Sequence, residues 1–130
     1  MSGPSGRSLN VDLKAFDAHC AAYPGAEMVV QWGNAHVWKV GGKVFAIASH
    51  WGEDGEDIPA FRPVFKASDL SFRMLTQQEC LVVAPYLGRY KWVQMRDPGA
   101  LSNEDLMAYV GASYDMVAAK LTKAQRRKLA

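Results

Sequence analysis

The residues with chemistry to offer are three histidines, two cysteines and one acidic run. His19 precedes Cys20 and sets a base beside a thiol. Neighbours on a helix point about 100° apart, so the imidazole would not face the sulfur. Nucleophilic catalysis needs the base within hydrogen-bond reach; this spacing suits Cys20 as a small buried residue instead. His36 and His50 fall on successive β-type segments and can approach across a sheet. A zinc site needs a third ligand, and the nearest acidic residues lie in a loop. That loop, Glu53-Asp54-Gly55-Glu56-Asp57, lacks the alternating oxygens and distant bidentate glutamate of an EF-hand, so a solvated turn is expected. Val40-Gly41-Gly42-Lys43 is too short for a phosphate loop and does not open a helix. Neither Gly-x-Ser-x-Gly nor His-Glu-x-x-His occurs. The residues call for no catalytic set, cofactor or resident metal, and the expectation is a protein that is not an enzyme.

What remains is an interleaving of cations with aromatics. Lys39, Lys43, Arg62, Lys66, Lys91 and Arg96 lie on or beside β-type segments, accompanied by Trp32, Trp38, Tyr90 and Trp92. A sheet face with both can neutralise phosphates and stack bases, which points to DNA as partner. Alternation alone offers a plainer account: on a half-buried sheet the tryptophans turn inward and the lysines outward. A second class of function is a protein-interaction adaptor with an exposed aromatic face.

The chain has 130 residues, 49% of them apolar, enough for one domain with a true core. No run reaches the roughly 18 apolar residues of a membrane span. Residues 1–8 carry no hydrophobic stretch, so they read as a disordered lead and not a secretory signal. Two distant cysteines without CxxC spacing fit a reducing, cytoplasmic setting. Net charge is +2, but five cations and no anion fall in Lys120–Ala130, leaving ten cations against thirteen anions elsewhere. A basic tail at 126–130 behind a domain at 9–125 is a weak pointer to an anionic partner. Helix-end cations also answer the macrodipole without any partner.

These residues need elements to hold them. Asn10 can cap a helix whose Leu13, Phe16 and Cys20 share a face, stopped by Pro24-Gly25. Glu27–Trp32, Ala35–Val40 and Lys43–His50 read as a meander with turns at Gly33-Asn34 and Gly41-Gly42. In Ala35–Val40, His36, Trp38 and Val40 face one side, Val37 and Lys39 the other. Phe61–Lys66 is a fourth strand, its Pro63 indicating an edge or a strand start. Ser68 caps a short helix reaching about Gln77. Cys80–Ala84 and Tyr90–Arg96 follow, the latter alternating as a half-buried strand should. Ser102 and Asp105 open a last helix in a capping-box-like pair, with a stripe from Leu106 to Leu121. Gly111 within that stripe costs about 1 kcal/mol relative to alanine, which suggests close packing against the sheet.

Several of these segments, in order and spacing, resemble the MmcQ/YjbR family of small bacterial proteins. They are Tyr23-Pro24-Gly25-Ala26-Glu27, Trp32-Gly33, Trp38 to Ala46, Phe65-Lys66-Ala67-Ser68, Ala84-Pro85-Tyr86-Leu87, Lys91-Trp92-Val93 and Ser113 to Val117 with Lys120-Leu121. The insert around Glu53–Asp57 departs from the family pattern. The resemblance implies an α+β, CyaY-like two-layer sandwich, an antiparallel β-sheet with flanking N- and C-terminal helices. It also implies DNA binding, since members are described that way by likeness to double-wing domains. It supplies no catalytic residue, and by analogy with iron-handling members of the CyaY-like fold it implies a third class of function, small-ligand or metal binding at Glu53–Asp57. Among its recurrent positions Lys39, Lys43 and Lys66 are the ones expected to be exposed for phosphate contact.

Overall fold

The computed structural model describes residues 13–31, 35–49, 62–84, 91–96 and 100–128. Helix α1 (Leu13–Ala21) leads into three meandering strands, β1 (Ala26–Gln31), β2 (Ala35–Val40) and β3 (Lys43–Ser49), and then β4 (Arg62–Lys66). Helix α2 (Asp69–Leu75), strands β5 (Leu81–Val83) and β6 (Trp92–Met95), and helices α3 (Asn103–Ala118) and α4 (Lys123–Arg127) complete the order. The six strands form one antiparallel sheet in the order β1-β2-β3-β4-β6-β5. The α+β expectation holds. The expected cap at Asn10 and turn at Gly33-Asn34 lie outside the described residues, as do the lead at 1–8, His50 and the acidic run.

Period-2 alternation sends Trp38 and Val40, Ala46 and Ala48, Phe65, and Val93 and Met95 to one face. There they meet Phe16 and Cys20 of α1 and Leu106, Val110, Tyr114 and Val117 of α3. Phe45 is fully buried among Tyr23 and Tyr114, edge-on to both, while those two rings stack at 4.7 Å. The opposite face is not open. Ala35, Val37, Ile47, Val64, Ala84 and Trp92 form a second buried cluster there.

That second cluster corrects the half-buried reading of β6, all four of whose residues are buried. Strand β6 lies between β4 and β5 with apolar side chains on both of its faces. Pro63 is likewise not on an edge strand, since β4 is paired on both sides. It is tolerated as the second residue of β4, before the stretch Val64–Lys66 that pairs with β6. Gly111 packs against a ring and not the sheet: a Cβ there would come within 2.9 Å of the Tyr23 hydroxyl.

Helix ends follow the cap residues. The Ser68 and Ser102 hydroxyls accept from the backbone of Ser71 and Asp105 at the starts of α2 and α3. Asp105 is too short to complete the reciprocal bond. The full capping box stands at Thr122 and Gln125, opening α4, which takes Arg126 and Arg127 of the expected tail into a helix.

Helix α1 is tied to β2 by Asp17. Its carboxylate accepts from Trp38 Nε1 at 2.9 Å and meets His36 Nδ1 at 2.7 Å. Asp17→Ala leaves the indole N–H of a buried tryptophan without that acceptor. It is expected to lower stability by about 1–2 kcal/mol, less than a fully buried pair because Asp17 is partly solvated. Urea denaturation followed by tryptophan fluorescence measures it; a midpoint equal to that of the parent protein would show the carboxylate idle.

Candidate functional site

The strand registers sort the six cations by sheet end. Val40 pairs with Lys43 and Lys39 with Val44, so both lysines flank the β2–β3 turn. Lys66, the last residue of β4, pairs with Trp92, the residue after Lys91. Lys39, Lys43 and Lys66, on three neighbouring strands, and Lys91, just before a fourth, therefore stand at one end of the sheet. Arg62 starts β4 and Arg96 follows β6, so both lie at the other end. Arg96 Nε donates to the Gln94 side chain at 3.2 Å.

The Gly41-Gly42 turn fixes the lysine end. Both glycines have positive φ, +58° and +81°, as a two-residue hairpin turn with strand-matched twist requires. Leu121, just past α3, packs on Gly41, and Gln125 of α4 reaches the Gly41 carbonyl at 3.4 Å. The C-terminal end of α3 is thus brought to the lysines, and Lys120 with it. Burial and then the nearby Lys120 charge hold the Lys66 ammonium below its ordinary pKa. Lys91 adopts φ +65°, the one described non-glycine residue with positive φ. It sets its Nζ 5.7 Å from the Phe72 ring centroid while its carbonyl accepts from Ala67 N–H.

Among the described residues, none of Lys39, Lys43, Lys66, Lys91 and Lys120 lies within ion-pair distance of a carboxylate. The dipole of α3 accounts for a cation at Lys120. It does not account for that cation meeting a second one. Two crowded ammoniums are eased by any anion placed between them, and a phosphate oxygen suits both as acceptor.

Of the residues read as chemical from the sequence, Cys20 is fully buried; burial and the Asp17 charge push its thiol far up. His19 Nε2 is bonded to the Tyr23 hydroxyl at 2.8 Å. Among the described residues no three His, Cys, Asp or Glu gather as metal ligands. Trp38 and Trp92 are buried, one on each face, so neither offers a ring to a base. No described aromatic residue is exposed; Trp32 and Tyr90, which the expected aromatic face also includes, lie outside the described residues. Among the described residues the exposed large apolar side chains are aliphatic: Met28, Val29, Val30, Leu70, Met74 and Val83.

Comparison with known proteins adds a family. The YjbR family model matches residues 21–116. The chain belongs to the YjbR family. The matched span runs from the end of α1 through most of α3 and takes in the whole sheet. Deinococcus radiodurans protein DR2400, solved as a DUF419 domain, is similar in fold at a TM-score of 0.76 and 22% identity. The match covers 94% of this chain and 89% of that one. No curated protein matches. The YjbR name carries no reaction with it, and at this identity the solved relative speaks for the fold alone. No described helix of this YjbR protein is long and apolar enough to cross a membrane.

Proposed function

We propose that this YjbR domain is a non-enzymatic module that binds DNA through the phosphate backbone at the lysine end of its sheet. The supporting observation is that the strand registers put Lys39, Lys43, Lys66 and Lys91 at one end of the sheet, where the packing of Leu121 on Gly41 also brings the C-terminal end of α3 and its Lys120. Buried tryptophans leave base stacking without support among the described residues, so the contact is to phosphates and largely indifferent to sequence.

Fluorescence anisotropy of a labelled duplex tests this. Four or five phosphate contacts give a log–log salt slope near −4, so affinity falls roughly 10²-fold between about 50 and about 200 mM salt. Lys66→Glu with Lys120→Glu flattens the slope by about 2 and weakens low-salt binding more than tenfold. Arg62→Glu with Arg96→Glu, at the far end, has little effect. Absence of binding at low salt, or equal losses from the two pairs, overturns the proposal.

A further inference from the structure

The two edges of the sheet are unlike. Strand β5 has three residues, which is one way proteins blunt an edge. Strand β1 has six, with no lysine, no proline and no bulge of its own against β2, and Glu27 as its one charge. Its centre is apolar on both faces, with Met28 and Val29 each 40% and Val30 53% exposed. Among the described residues, the backbone of Met28–Gln31 finds partners only in β2.

We propose that β1 pairs antiparallel with β1 of a second copy of this chain, joining two six-stranded sheets into one. The occupant is argued from the strand's own pattern. A strand that pairs with itself must be complementary to its own reversal. About a two-fold axis at Val29, Met28 faces Val30 of the other copy and Val29 faces itself. The one charge, Glu27, then faces the neutral carboxamide residue Gln31, so no like charges oppose. Glu27, Val29 and Gln31 lie on one face, Met28 and Val30 on the helix-bearing face, and both faces stay continuous across the junction. A foreign strand would not need this symmetry. The contact covers less than the roughly 800 Å² per partner of a standard interface, so the dimer is weak and reversible. It does not rest on the DNA reading, and either can fail alone.

Sedimentation equilibrium of the full chain, from low micromolar to about millimolar, reads the association as a mass rising from 14.3 kDa towards twice that value. Val29→Lys sets two ammoniums opposite each other on the axis and abolishes the rise; the site is exposed, so the fold is retained and circular dichroism checks it. Cross-linking reads the register. Val29→Cys puts two thiols on directly opposed residues, about 4.5–5.5 Å apart at Cα, and gives a disulfide dimer under mild oxidation. Glu27→Cys leaves its thiols roughly 13 Å apart and gives none beyond the unmodified chain. A monomer at every concentration, a dimer indifferent to Val29→Lys, or cross-linking at 27 but not at 29 overturns the proposal.

Discussion

Ser113→Ala is expected to cost about 2–4 kcal/mol, because one buried hydroxyl serves two backbone groups that have no other described partner. Ser113 is fully buried on α3. Its Oγ donates to the Phe45 carbonyl at 2.6 Å and accepts from the Lys66 N–H at 3.0 Å. The β3–β4 ladder runs to Ala46 opposite Phe65. Phe45 and Lys66 come next in that register, and there the helix inserts a hydroxyl between the strands in place of the direct bond. Alanine removes both bonds and leaves a buried acceptor and donor facing a small void. Thermal unfolding should shift down by on the order of 10 °C for a chain of this length. Ser113→Cys, which keeps a weak donor of similar shape, should recover part of the loss. A loss under about 0.5 kcal/mol for Ser113→Ala would falsify this account. The same variant also loosens the backbone that carries Lys66, so it should weaken duplex binding although position 113 contacts no solvent.

The turn at Gly41-Gly42 carries the second large effect, and the two glycines should differ. An alanine at either position meets the left-handed conformation, at about 1 kcal/mol each. At Gly42 nothing lies within 4 Å of the new Cβ, so that strain is the whole cost. At Gly41 the Cβ falls 2.6 Å from Leu121 Cδ2, and Leu121 is itself buried in the core. Moving a packed leucine adds about 1–2 kcal/mol, so Gly41→Ala is expected at about 2–3 kcal/mol in chemical denaturation. In a Leu121→Ala background the two alanines should cost the same, since the clash is gone. An unchanged difference between them there would mean that Leu121 is not the obstacle. Gly41→Ala should also impair DNA binding more than Gly42→Ala, because Leu121 and Gln125 are what hold the C-terminal end of α3, and Lys120, against the turn.

Local chemistry made much of this architecture legible. Alternation in Ala35–Val40 sorted Trp38 and Val40 from Val37 and Lys39 correctly, because side chains on a strand cannot choose their parity. Gly41-Gly42 announced its turn because few residues tolerate two successive positive φ values. The caps at Ser68 and Ser102 were readable for the same local reason. The box at Thr122–Gln125 is equally local, although it sits within a cation-rich run.

Strand order was not local. Pro63 suits an edge or a strand start, and the alternation of β6 a half-buried strand, because a strand's own residues do not state who its neighbours are. The antiparallel pairing of β4 with β6, across an intervening helix and strand, put both in the interior. The role of Ser113 was similarly hidden: within its helix it is a small residue on an apolar stripe, and only the parting of β3 from β4 gives its hydroxyl two partners. The six cations were visible as residue types from the start. Their division into a lysine end and an arginine end came from register, and Lys120 joined the first group only when Leu121 docked on Gly41. The amino-acid sequence by itself determined the elements, their buried sides and the tight turn, since these depend on neighbours a few residues apart. The tertiary structure alone decided which charges meet and which strands end the sheet, since those depend on residues brought together from distant parts of the chain.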